Sequence, residues 1–259
     1  MKLLLVGRGW TGNKMYAELI NRGHDVTFVS HNDAIGIIER NNYDWVINVA
    51  GVTGVPSVDA CETAKLTTYN GNAIYPIELY HACARQGIRF AHFSSGCIYE
   101  GTIDSVNAEP NFFGSTYSIS KGISDTYLKD KAHVYRIRMP FTSLHEPKNL
   151  LTKIIKYSTS GKLYEGGLNS ITYLDDALTV VCELIEENAP NGPYNLVNSG
   201  TVNMQQIVNM LKLTPQWFTT EEFRAATACA RSNCVIPSYY KMPPVAQRLE
   251  LAIHQLLKN

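Results

Sequence analysis

Short runs of β-branched and long aliphatic residues alternate along the chain with longer stretches in which apolar positions recur every three or four residues. Residues 2–6, 25–30, 44–50, 88–94 and 134–139 read as strands, and helical patterns cover about 11–21, 64–85 and 115–130. This is the rhythm of a doubly wound parallel α/β sheet, whose ligands sit beyond the carboxyl ends of the strands. After residue 140 the pattern becomes mixed, with helices near 149–158, 174–187, 202–211 and 245–257 and a strand at 194–197. The expected architecture is a Rossmann-type domain over 1–140 and a smaller substrate-binding part over 141–259, with 194–197 placed to rejoin the main sheet.

Composition narrows the function classes. The 259 residues are 45% hydrophobic and 18% charged, enough for a full core. Lys plus Arg equals Asp plus Glu at 23 each, so no global field favours nucleic acid or an anionic membrane, and phosphate binding must be local. No apolar run approaches the roughly 20 residues of a membrane span, and a strand begins at Lys2, so a soluble cytoplasmic protein without signal peptide is expected. Six cysteines and seven histidines lack metal-ligand spacing, so neither disulfides nor a metal is expected.

Gly7, Gly9 and Gly12 form GxGxxG between the first strand and the first helix, where backbone amides can approach a pyrophosphate. With Arg8, Trp10 and Thr11 in the loop, and Ala50 and Gly51 at the end of the third strand, they make a candidate dinucleotide site. An ordinary tight turn is the plainer reading of the glycines. The second strand ends at Ser30 and His31 with no carboxylate for a ribose 2′-hydroxyl, which favours NADP(H) with Arg8, Ser30 and His31 on the 2′-phosphate. Asp33 keeps NAD(H) open, and solvated loop residues are the alternative for all three contacts.

Tyr117 and Lys121 are four apart in a helical pattern, so both project from one face, and a cation there favours the phenolate. Ser95 follows the strand at 88–94, where its hydroxyl can share a carbonyl oxygen with Tyr117. YxxxK alone usually marks a solvated helix face. Here it follows the glycine loop, the Asn48-Val49-Ala50-Gly51 strand end and Ser94-Ser95, in that order.

On these motifs the chain resembles the extended short-chain dehydrogenase/reductase family over nearly its whole length. The resemblance implies NAD(P) on a Rossmann sheet, with Tyr117 as general acid and Ser95 as carbonyl anchor. It makes Lys121 the residue that lowers the phenol's pKa and holds the nicotinamide ribose. It also implies a homodimer joined through the helices at 64–85 and 115–130.

Longer strings are more specific: Gly51-Val52-Thr53-Gly54, Ser95-Gly96-Cys97-Ile98-Tyr99-Glu100, Asn111-Phe112-Phe113-Gly114-Ser115, Arg136-Ile137-Arg138-Met139-Pro140 and Asn149-Leu150-Leu151-Thr152-Lys153. They resemble the bifunctional nucleotide-4-keto-6-deoxyglucose 3,5-epimerase/4-reductases of UDP-rhamnose synthesis. That group implies a nucleotide-sugar substrate, and Cys97 and Lys153 as the epimerisation acid/base pair. A C4 ketone acidifies the protons on C3 and C5, so one group must remove a proton from one face and another return it on the other. Spacing alone reads Cys97 as a buried filler and Lys153 as a surface lysine beside Lys156; the surrounding strings reverse that.

Arg231-Ser232-Asn233 resembles the string near the nucleotide-sugar end in the same group, which adds Arg231 and Asn233 to a substrate set of Thr53, Ser95 and Asn149. Arg231 offers a planar fork suited to a diphosphate, with a surface arginine as the alternative. Asn169-Ser170-Ile171-Thr172 is expected to be a strand bordering the substrate. The chain departs from the group's usual GxxGxxG, having Val6 at the first glycine position, and it leaves little room at 32–44 for the usual helix and extra strand, as if the sheet were trimmed at one edge. Two other readings stand beside the bifunctional one: a monofunctional 4-ketosugar reductase or GDP-fucose-type enzyme, and a non-catalytic NADP(H)-binding regulatory protein, which would usually have lost the Tyr and Lys.

Overall fold

A computed structural model of the chain describes residues 1–258. The first half runs β1 (Lys2–Val6), α1 (Trp10–Asn21), β2 (Asp25–Val29), α2 (Ala34–Arg40), β3 (Trp45–Asn48), α3 (Ala60–Thr63), α4 (Lys65–Tyr69), α5 (Tyr75–Arg85), β4 (Arg89–Ser95), β5 (Gly101–Thr102), α6 (Thr116–Leu128) and β6 (His133–Ile137). The second half adds α7 (Leu150–Ser160), β7 (Lys162–Leu163), α8 (Leu174–Glu186), β8 (Gly192–Asn195), α9 (Met204–Met210), β9 (Gln216–Trp217), α10 (Thr220–Ala226), β10 (Cys234–Val235) and α11 (Val245–Leu256).

Leu3, Leu4, Leu5 and Val6 have no exposed surface, the mark of a strand covered on both faces. Alternation sorts them. Leu3 and Leu5 pack with Met15 and Leu19 of α1 and Ala177 and Val181 of α8, whereas Leu4 and Val6 pack with Ile38 of α2, Leu79 of α5 and Leu128 of α6. The sheet is six parallel strands in the order β2-β1-β3-β4-β6-β8, helix-covered on both sides, so the fold is the Rossmann-type α/β sheet the pattern predicts. β2 is one edge, β8 the other, and a short helix, α2, with no extra strand lies between β2 and β3.

Beyond β6 a further core joins α7, α9 and α11 through Leu151, Ile154, Val208, Leu249 and Ile253. β8 returns from this part to pair with β6 through His133↔Gly192 to Arg136↔Asn195, two residues before the expected 194–197. The helix expected at 64–85 is interrupted. A π turn, Asn70–Ile74, joins α4 to α5, and Pro76 near the start of α5 cannot donate the backbone bond of a regular ladder. Nor does Asn169-Ser170-Ile171-Thr172 form a strand; it makes one isolated bridge, Asn169 to Val202.

Candidate active site

Three glycines behave differently in the loop after β1. Gly7 turns with φ of 115°, and a Cβ there would come within 2.6 Å of the Ala50 nitrogen. Gly12 lies so close to the Gly7 carbonyl that only hydrogen fits. At Gly9 a Cβ would meet nothing within 4 Å. Gly9 caps α1 without a side-chain bond, and the first turn holds no acidic residue. Such an end receives a phosphate.

Trp10 and Thr11 begin α1 half-buried, the Trp10 indole nitrogen being buried without a partner. Arg8 reaches the end of β2, donating to the Phe28 carbonyl at 2.6 Å and lying over the Phe28 ring, with Ser30 and His31 two and three residues further on. The loop and strand end together fit a dinucleotide.

The next group is built where β4 ends. The Ser95 hydroxyl accepts the Cys97 amide at 3.1 Å and so turns the chain at Gly96–Ile98. α6 is held at its start by Ser115, which accepts from the Ser118 amide, and by Glu62, whose carboxylate accepts from the Thr116 amide and hydroxyl at 2.7 Å each. Further along, Asp125 accepts from the Ser94 hydroxyl and from Arg136. Between these anchors stand Tyr117 and Lys121. Lys121 Nζ donates to the Phe93 carbonyl at 3.0 Å and lies 3.1 Å from where a Cβ on Gly51 would be, so the two approach closely. Asn72, presented by the π turn, braces the same corner: it bonds the Val52 amide and carbonyl at 2.8 Å each and the Ser120 hydroxyl at 3.2 Å. Sequence reasoning missed Asn72, although Asn70-Gly71-Asn72 is a visible interruption of the helical pattern.

Burial brings the Lys121 ammonium down to about 8 against the pull of Asp125. Burial also pushes the Tyr117 phenol up, the Cys97 thiol adds to the rise, and Ser95 and Arg138 oppose it. The Lys121 ammonium itself is turned to the Phe93 carbonyl. Burial and the neighbouring Lys148 lower the Lys153 ammonium.

A cavity of about 640 Å³ opens beyond the ends of β4 and β6, and its wall carries Cys97, Tyr117, Arg138, Arg231 and Asn233, with Tyr157, Tyr164 and Phe223 further out. Ser95 and Lys121 lie behind this wall, 5% and 4% exposed. Lys153 is half-buried and off the wall, one helical turn before Tyr157, which is on it. Arg231 is not a free fork: it pairs with Asp59 and donates to the Cys229 carbonyl at 2.9 Å. Burial alone would raise the Asp59 carboxyl, but Arg231, Ser57 and the Ala228 amide hold it well below the usual carboxylate range. Asn233 Oδ1 accepts the Gly167 amide at 2.9 Å and so holds the 166–167 turn. Thr53 is exposed, off the wall, and accepts from Lys148 at 2.8 Å.

Asn149 requires correction as a substrate contact. It is wholly buried, caps α7 through the Leu151 amide at 3.0 Å, and donates to the Thr142 and Leu144 carbonyls, so its amide is used up within the fold.

The family model for the NAD dependent epimerase/dehydratase family matches residues 3–200. The chain belongs to that family. Among its relatives, the bifunctional dTDP-4-dehydrorhamnose 3,5-epimerase/dTDP-4-dehydrorhamnose reductase of Arabidopsis thaliana is 32% identical over 254 residues, spanning 89% of this chain and 83% of the relative. The crystal structure of the L780 UDP-rhamnose synthase from Acanthamoeba polyphaga mimivirus superposes with a TM-score of 0.88 at 26% identity, covering 98% of this chain and 99% of that one. The dTDP-4-dehydrorhamnose reductase of Bacillus anthracis, solved in complex with NADP, shares the fold with a TM-score of 0.80 at 17% identity over 99% and 98% of the two chains. Within this epimerase/dehydratase family, the likeness to rhamnose-forming members agrees with the resemblance carried by the sequence strings.

Proposed function

We propose that the chain uses NADPH to epimerise C3 and C5 of a nucleotide-4-keto-6-deoxy-D-glucose and to reduce C4, yielding the nucleotide-L-rhamnose on a UDP or dTDP carrier. The observation that carries this reading is that Tyr117 and Cys97 stand on one cavity wall, with Ser95 and Lys121 directly behind. The nicotinamide, when bound, supplies the hydride for C4. Gly7, Gly9, Gly12 and the open end of α1 would hold its pyrophosphate, and Arg8, Ser30 and His31 the 2′-phosphate.

Tyr117 and Ser95 hydrogen-bond the C4 oxygen, stabilising the enolate during epimerisation, and Tyr117 then gives its proton to that oxygen during reduction. A phenol kept protonated by burial suits the donor role. Lys153, with its ammonium lowered by burial, takes the proton from carbon, and Cys97 returns one on the opposite face. Arg231 exchanges Asp59 for the substrate diphosphate.

A plain 4-ketosugar reductase is the second reading, favoured by the position of Lys153 off the cavity wall. Both are tested by incubating the chain with NADPH and dTDP-4-keto-6-deoxyglucose. Loss of nicotinamide absorbance with a rhamnosyl product supports the proposal, loss only with the already epimerised 4-keto-L-rhamnose nucleotide favours the plain reductase, and no loss with either overturns both readings.

The proposal includes a homodimer through α5 and α6, supported by exposed Ile74, Phe113 and Ile123 beside a groove lined by Ile77, Pro110 and Ile119. Size-exclusion chromatography reads this directly. It also keeps the cytoplasm as compartment: all six cysteines are free, and no helix among the described residues is long and apolar enough to cross a membrane.

A further inference from the structure

Arg138 follows β6 and is 2% exposed, yet no carboxylate among the described residues pairs with it. Arg136, two residues earlier, has Asp125 as its buried counter-ion. The Arg138 guanidinium instead donates to neutral oxygens: the Gly96 carbonyl at 3.4 Å, the Ser232 hydroxyl at 3.1 Å, the Ser232 carbonyl at 2.7 Å and Asn169 Oδ1 at 2.5 Å. Its Nε is buried without a partner. Its remaining contact is Cys97 Sγ at 3.2 Å.

A buried cation without an opposite charge is unfavourable, and an ionisable atom in its hydrogen-bond shell would supply the missing charge. Tyr117 from α6, Cys234 from β10 and Arg138 itself are titratable groups close to the Cys97 thiol. Burial pushes Tyr117 up, and burial pushes Cys234 up to about 11 against Arg138, so both stay protonated near neutral pH. Cys97 Sγ is the one ionisable atom that Arg138 reaches by hydrogen bond.

We propose that Arg138 is the fixed counter-ion of the Cys97 thiolate, a positioning residue that holds the charge left on sulfur each time Cys97 protonates the sugar. The inference rests on the epimerase reading of Cys97. In the step concerned, the enolate carbon takes the thiol proton with its own electron pair, the new C–H bond forms, and the C4 carbonyl is restored. The S–H pair remains on sulfur beside the guanidinium. Lys153 holds the proton taken from the opposite face and releases it to solvent, while the thiolate recovers one from solvent, so the site returns to its starting state. The neutral partners of Arg138 keep its fork aimed at the sulfur without neutralising it.

The test compares wild type, Arg138→Gln and Arg138→Lys by three readouts: alkylation of Cys97 by iodoacetamide at pH 7.5, followed by peptide mass spectrometry; deuterium wash-in at C3 and C5; and NADPH oxidation with a 4-keto-L-rhamnose nucleotide that needs no epimerisation. Arg138→Gln is expected to slow alkylation and wash-in by about tenfold or more, to slow reduction by clearly less than wash-in, and Arg138→Lys to recover part of the loss. An unchanged alkylation rate in folded Arg138→Gln, or an equal loss of wash-in and reduction, overturns the proposal. Should Arg138→Gln fail to fold, the wild-type chain still decides: Cys97 must alkylate faster than an unstructured cysteine peptide at the same pH, and slower alkylation overturns the pairing. Absence of wash-in by the wild-type chain sinks the epimerase reading instead, and alkylation alone then judges the contact.

Discussion

Asp125 on α6 and Arg136 on β6 form a bidentate ion pair at 2.5 and 2.9 Å with neither side chain exposed. Ser94 adds a hydrogen bond at 2.5 Å, so β4 and β6 are both tied to the helix that carries Tyr117 and Lys121. Asp125→Ala leaves Arg136 buried and uncompensated, which should destabilise the fold by about 3–5 kcal/mol in urea denaturation. Replacing both partners together, as Asp125→Leu with Arg136→Met, should restore most of that loss. If the double variant is as unstable as the single one, the pair is not the source of the effect.

Lys121 predicts a conflict between stability and chemistry. Its charged form is disfavoured by burial, so the destabilisation is full below about 8 and is relieved as pH rises towards the 10.5 of an unfolded lysine. Lys121→Met should therefore stabilise the cofactor-free chain by about 1–3 kcal/mol at pH 7, an advantage that shrinks between pH 8 and 10.5, while abolishing most reductase activity. Thermal melts across that range check the sign. A variant less stable at pH 7 would contradict the burial account.

The glycines of the first loop separate folding from cofactor binding. Gly9→Ala places its methyl in open space, so the melting temperature of the cofactor-free chain should hold while NADPH affinity falls by about tenfold. Gly7→Ala puts a Cβ 2.6 Å from the Ala50 nitrogen at φ 115° and should destabilise the chain by about 1–3 kcal/mol before cofactor is added. Calorimetry and NADPH titration distinguish the two, and equal melts for both variants would go against this division.

For Arg231, the loss of a charge-assisted contact to a diphosphate predicts a rise of about 10- to 100-fold in KM for Arg231→Ala, with kcat little changed. Asp59→Asn should leave KM unchanged or lower it, because it frees the same guanidinium. A fall in kcat without a KM effect would place Arg231 away from the substrate anchor.

What the sequence made legible was local. The buried β1 run, the glycine loop and the Tyr117 and Lys121 spacing are signals a few residues long, and each fixes its own backbone geometry. Contacts between distant residues left no trace. Glu62 meets Thr116 across 54 positions, Arg231 meets Asp59 across 172, and Arg138 meets Cys97 across 41. Asn72 falls inside the 64–85 helical pattern, and only its bonds to Val52 and Ser120 reveal its use. Asn149 shows the reverse error: an Asn before an apolar helical run carries the signature of an N-cap, and resemblance drew it towards the substrate. The two-residue strands β5, β7, β9 and β10 are too short to have a period.

The account stands on one chain performing both proton exchange and reduction at a single ketone. Product analysis after turnover in deuterated water with NADPH reads this most directly, because carbon-bound deuterium at C3 and C5 reports epimerisation and unlabelled hydride at C4 reports reduction. The predicted product is an L-rhamnosyl nucleotide labelled at both C3 and C5. A reduced sugar nucleotide that keeps the D-configuration, with neither position labelled, would contradict it.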